Sequence, residues 1–138
     1  MLKMDGEALE AFLRDAFTQV ADDFALDRVE PDGLTVRLRV ADRHLRPGGT
    51  VSGPSMFALA DVAVYLAILS RLGPVALAVT TNCSIDFMRK PAAGADLLCE
   101  ARLLKLGRVL AVGDCLIRSD GAEAIVARAS LTYSIPPS

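Results

Sequence analysis

The sequence has no tryptophan, a single histidine, three cysteines and aromatic residues at only 5% of positions. Without aromatic platforms or a basic block, it offers nothing for stacking bases or neutralising a phosphate backbone, so nucleic acid is not an expected partner. Its charges nearly cancel: 15 basic against 17 acidic residues leave a net charge of -2. One histidine and no close pair of cysteines argue against a zinc site. No phosphate-binding loop and no Ser–His–Asp arrangement is present. Cys83, Cys99 and Cys115 fall in apolar, strand-like stretches. Their odd number and wide spacing read as reduced thiols filling a core in a reducing compartment. The residues from Met1 to Glu7 include two acids and no apolar stretch, so no export signal is expected and a cytoplasmic location is.

What the sequence does have is 52% hydrophobic residues in a length of 138, enough to bury a core in one domain spanning residues 1–138. Leu9, Phe12, Leu13, Ala16, Phe17 and Val20 recur at helical spacing, which predicts a first amphipathic helix from about Gly6 to Asp23. A short strand near Leu26 to Glu30, the turn Pro31-Asp32-Gly33 and the alternation Leu34, Val36, Leu38, Val40 predict a hairpin. The segment His44 to Gly53 is a Pro- and Gly-rich loop in which His44 is expected to face solvent. Ser52 can cap the helix that follows, and Pro54 suits its first turn. That helix runs to about Arg71, where Gly73-Pro74 stops it. The stretch Ser55 to Leu72 is marginal in length for a membrane span and carries Asp61 near its middle, so a buried helix is expected and no membrane partner. Four strand-like runs complete the chain: Ala76 to Met88, Leu97 to Leu106, Val109 to Arg118 and Ile125 to Ile135. Short turns between strands predict a largely antiparallel sheet. A helix apolar on nearly all sides must be covered on most of them. An α+β arrangement meets both demands: a curved sheet of five to six strands wrapped around one central helix, with an N-terminal helix outside it. That is the hotdog fold.

Asp61 is the one charge inside the central helix, and its neighbours at helical spacing, Phe57, Ala58, Val64 and Tyr65, include no cation. A buried carboxylate without a partner is costly. Either other groups reach it, such as hydroxyls or water, or it is a reactive group of the kind that concentrates at functional sites. The start of the same helix, Gly53, presents free N–H groups that suit a developing oxyanion, besides serving as an ordinary capped turn. Eight residues separate Gly53 from Asp61, which is about 12 Å along the axis and roughly 80° around it. If the two cooperate on one carbonyl, they come from different subunits, which predicts a dimer with shared sites.

The stretches Gly53-Pro-Ser-Met-Phe-Ala-Leu-Ala-Asp61 and Val79-Thr-Thr-Asn-Cys-Ser-Ile-Asp-Phe-Met-Arg-Lys-Pro91 resemble the PaaI-type hotdog acyl-CoA thioesterases, and the similarity covers about two thirds of the chain. The resemblance implies hydrolysis of an acyl- or aryl-CoA thioester with no cofactor beyond the coenzyme A of the substrate, in a homodimer or a dimer of dimers. It implies that Asp61 is the general base or nucleophile, that the Gly53 N–H polarises the thioester carbonyl and that Thr80 helps to place water, with Thr81 and Asn82 as alternatives. Arg46, Ser52, Pro54 and Ser55 fall at substrate-facing positions. Arg89, Lys90 and Arg108 sit at strand ends and turns where they could meet the phosphates of coenzyme A, or serve as solvated surface charge. The chain departs from the family in having Ser52-Gly53-Pro54 for the usual His-Gly-Gly and Arg46 for an Asn or Gln. Pro54 has no N–H to donate. Two rival functions follow from the same fold. One is a module that holds an acyl-CoA or apolar ligand without turnover. The other is a hydratase or dehydratase, which would need a histidine beside the carboxylate.

Overall fold

The computed structural model describes residues 2–18, 20–74 and 77–137. Helix α1, Gly6–Ala16, is capped by Asp5, whose side chain accepts the Ala8 N–H at 2.9 Å. It buries Leu9 and Leu13 and ends at Ala16 rather than Asp23. The chain turns there because Phe17 swings its ring edge-on to Tyr65, with ring centroids 5.4 Å apart, and Phe24 then enters the core. Strands β1, Phe24–Glu30, and β2, Gly33–Leu38, form the expected hairpin. The central helix α2 spans Gly53–Leu72. Strands β3, Val79–Phe87, β4, Leu97–Leu106, β5, Leu110–Ser119, and β6, Ile125–Ser134, follow. The expected start of β3 at Ala76 lies outside the described residues.

All six strands join one antiparallel sheet in the order β1-β2-β4-β5-β6-β3. Inward positions alternate along each strand: Leu34, Val36 and Leu38 in β2, Ala111, Cys115 and Ile117 in β5, and Ala127, Ala129, Leu131 and Tyr133 in β6. The sheet curves around α2, which is long and apolar enough to cross a membrane and instead buries eleven of its residues here, from Met56 to Ser70. Gly113 lets helix and sheet meet, since a Cβ there would lie 3.0 Å from Val64 Cγ1. The three cysteines are free thiols; Cys99 and Cys115 are buried, and Cys115 Sγ donates to the Ala60 carbonyl at 3.7 Å.

Strand β3 is a sheet edge. Its pairing with β6 slips by one residue between Thr80 and Asn82, leaving Thr81 as the extra residue of a bulge. Strict alternation from Cys83 and Ile85 would turn Thr80 outward; the bulge returns it to the inner face, directly opposite Tyr133.

Candidate active site

Asp61 lies at the middle of α2, beneath the end of the sheet where Thr80 and Tyr133 are cross-strand neighbours. The Thr80 hydroxyl donates to Asp61 Oδ1 at 2.5 Å and the Tyr133 hydroxyl at 2.7 Å, the latter also lying 2.9 Å from the Asp61 carbonyl. Oδ2 has no hydrogen bond among the described residues. The carboxylate is therefore held through one oxygen and presents the other. Among the described residues, hydroxyls rather than cations reach it. Burial, and next the charge of Asp61, push the Tyr133 phenol far above its ordinary range, so it stays a donor. The same two causes raise the Cys83 thiol beside them, which disfavours its thiolate.

Asp61 lines a cavity of about 220 Å³ with apolar walls including Phe24, Leu38, Phe57 and Val62, and with Ser55, Asp23 and His44 among its polar residues. His44 is thus a correction to the sequence reading: it is 6% exposed and packed inside, because its ring closes the turn at residues 42–44 by accepting the Ala41 N–H on Nδ1 at 2.9 Å. Burial would raise the neighbouring Asp23 carboxyl, but the Arg43 guanidinium and the His44 imidazole outweigh it and hold that group below its ordinary value.

Gly53 occupies the first position of α2, where an N–H has no intrahelical acceptor. The preceding segment fixes it. Ser52 N–H donates to the His44 carbonyl at 2.8 Å, and Ser52 Oγ accepts the Ser55 N–H at 3.3 Å while donating to Ser55 Oγ at 3.0 Å. Pro54 sits in the first turn, where its missing donor costs nothing. A bridge between Leu45 and Val51 closes the loop behind. The Phe87 ring rests on Gly53, and a Cβ there would lie 3.3 Å from it.

Gly53 opens on a different cavity, of about 370 Å³, shared with Arg46, Phe87, Arg89 and Lys90. None of the described residues lines both cavities. Within one chain the two halves of the expected site thus face separate spaces, as the 12 Å estimate from eight residues of helix implies. Of the hydroxyl and amide alternatives on β3, Thr80 alone meets Asp61; Thr81 is exposed and donates to the Thr132 carbonyl, and Asn82 is exposed on the strand. Arg108 is exposed in the β4–β5 turn and does not line the Gly53 cavity with Arg89 and Lys90. Tyr133 was not among the residues singled out from sequence. Its signal was a phenol at the end of the inward run Ala127, Ala129, Leu131, where a polar tip needs a partner. Among the described residues, no three His, Cys, Asp or Glu side chains group as metal ligands.

Comparison with known proteins places this geometry in context. The model of the thioesterase superfamily matches residues 48–126. A protein of Silicibacter sp. TM1040, provisionally assigned as a thioesterase, is 60% identical and superposes with a TM-score of 0.94 over 99% of this chain and 95% of its own. A single-substitution mutant of the phenylacetic acid degradation protein PaaI from Thermus thermophilus is 28% identical, with a TM-score of 0.72 over 91% of this chain and 99% of its own. A Pseudomonas aeruginosa protein provisionally assigned as an esterase, PA0474, is 32% identical over 103 residues, 75% of each chain.

Proposed function

Because this chain belongs to the thioesterase superfamily and has the hotdog fold of its PaaI-type members, we propose that it hydrolyses acyl-CoA thioesters in the cytoplasm, with Asp61 as the reactive group. The observation that carries the proposal is the state of that carboxylate: anchored at Oδ1 by Thr80 and Tyr133, without a hydrogen bond at Oδ2 among the described residues, and lining a largely apolar cavity. The Gly53 N–H donates to the thioester carbonyl oxygen as negative charge develops there. Asp61 Oδ2 takes a proton from water, which adds to the carbonyl carbon, or attacks that carbon itself. The carbon–sulfur bond breaks, the thiolate of coenzyme A leaves and is protonated, and the free acid is released. The chemistry draws on no metal or redox cofactor.

The separation of the two cavities supports a site shared between chains, with Gly53 from one and Asp61 from the other. Edge strand β3 supplies a route. It is unpaired on one side, and Leu77, Val79, Phe87 and Met88 along it are exposed apolar residues. Such an edge invites pairing with a second copy. Arg46, Arg89 and Lys90 around the Gly53 cavity suit the phosphates of coenzyme A. Substrate specificity then rests with the residues around the Asp61 cavity.

The test is release of free thiol from a panel of aliphatic and aryl acyl-CoAs by the wild type beside Asp61→Ala. Turnover by the wild type and a loss of at least about a hundredfold in the variant are expected, the scale of general-base catalysis. Tight binding of acyl-CoA with no thiol released would instead identify a ligand-holding protein. Undiminished activity in Asp61→Ala would remove Asp61 from the mechanism.

A further inference from the structure

The line of contacts that ends at Gly53 starts in the sheet and passes through His44. Asp23, the residue before β1, is fixed to the chain leaving β2, because its carbonyl accepts the Arg39 N–H at 2.7 Å. Its carboxylate faces the His44 ring, with Oδ2 3.2 Å from Nε2. On the other side of the ring, Nδ1 accepts the Ala41 N–H at 2.9 Å. The proton of the neutral ring is therefore on Nε2, toward Asp23. Both nitrogens are taken up inside the protein, and the side chain is buried. The His44 backbone carries the constraint onward. Its N–H donates to the Ala41 carbonyl at 2.9 Å, and its carbonyl accepts the Ser52 N–H at 2.8 Å. Ser52 caps α2, and Gly53 is the next residue. Residues 45–51 stand outside this line as a loop closed on itself, by Arg46 N–H to the Thr50 carbonyl at 2.9 Å and by the bridge between Leu45 and Val51.

We propose that His44 is a positioning residue for the Gly53 half of the site: its ring ties the turn before α2 to Asp23, and its carbonyl holds Ser52 so that the Gly53 N–H meets the thioester oxygen. This rests on the shared-site thioesterase function. His44 touches no reacting atom. An oxyanion donor works only close to the place where charge develops, and a misplacement of about 1 Å can cost about a hundredfold in rate. His44 also lines the cavity of Asp61, which gives a rival role as part of that wall. The two roles fall in different sites of a dimer. Acting through Ser52, His44 governs the Gly53 of its own chain. Acting as a wall, it serves the Asp61 of its own chain, which works with the partner's Gly53.

The experiment uses His44→Leu, which removes both ring contacts and keeps an apolar side chain in the buried space. Its kcat for thiol release should fall about ten- to a hundredfold, with KM changed less than about twofold. Mixed and refolded with Asp61→Asn, it should recover about a quarter of wild-type activity, because half of the dimers then carry one site with an intact Gly53 half and an intact Asp61 half. An unchanged kcat, or a raised KM with kcat intact, overturns this role for His44. If His44→Leu does not fold, His44→Asn takes its place with the same outcomes, since its oxygen can still accept the Ala41 N–H while the contact with Asp23 is lost. The pair Gly53→Pro and Asp61→Asn, mixed in the same way, reports on the shared site itself. Recovery in that pair and none with the His44 variant overturns the role of His44 alone. Recovery in neither overturns the shared site and this inference with it, and no thiol release by the wild type overturns the thioesterase function as well.

Discussion

At Asp61 the ordering of two hydroxyls around one carboxylate oxygen decides what the other can do. Thr80 and Tyr133 arrive from different strands and meet at Oδ1, so neither a rotation of the carboxylate nor an exchange of its oxygens is free. A hydrogen bond to a charged group contributes about 1.5–3 kcal/mol. Tyr133→Phe keeps the ring and its packing but deletes one of these bonds, so kcat should fall roughly ten- to hundredfold with KM little changed. Steady-state kinetics beside a thermal melt checks this; a loss of stability with kcat intact would make Tyr133 a packing residue only. Asp61 and Thr80 were legible in the sequence, one as a charge in an apolar helix and the other through family resemblance. Tyr133 was not, because 72 residues separate it from Asp61 and its strand reads as plain core alternation. His44 was misread for a related reason: a Pro- and Gly-rich loop suggests exposure, and nothing local shows that its ring turns inward to meet Ala41 and Asp23.

Among the elements, those with strong periodicity lay close to where the sequence put them. β4 begins and ends at the expected residues, and α2 starts at Gly53 and runs one residue past Arg71. α1 stopped short at Phe17, whose ring lies edge-on to Tyr65, and Phe24 then enters the core. The bulge at Thr81 was invisible, since register depends on the partner strand. Ties between elements are equally non-local. Arg37 on β2 donates to Asp27 on β1, to Asp96 just before β4 and to Asp120 in the β5–β6 turn. The Arg37 guanidinium holds the Asp120 carboxyl below its ordinary value. A carboxyl lowered on folding stabilises the fold above its unfolded pKa of about 3.9 and ceases to do so as pH falls through the folded value. Arg37→Met should therefore melt at a lower temperature than the wild type at pH 7, and the gap should close below about pH 4. A gap that stays constant from pH 7 to pH 3 would contradict an electrostatic role for Arg37.

For the whole molecule, curved sheet and central helix were readable because a helix apolar on all sides has few ways to be covered. The separation of Gly53 from Asp61 was readable too, from eight residues of helix between them, and each residue does line its own cavity. The measurement that tests the shared site most directly mixes two inactive variants. Asp61→Asn removes the reactive carboxylate. Gly53→Pro removes the carbonyl-polarising N–H; because a side chain there presses on Phe87, 3.3 Å from a Cβ, a thermal melt first establishes that the variant is folded. Each variant alone should release little thiol. Refolded together in equal amounts, half of the dimers should be mixed and carry one intact site of two, restoring about a quarter of wild-type activity. Absence of recovery from two folded, individually inactive variants would contradict a site built from two chains.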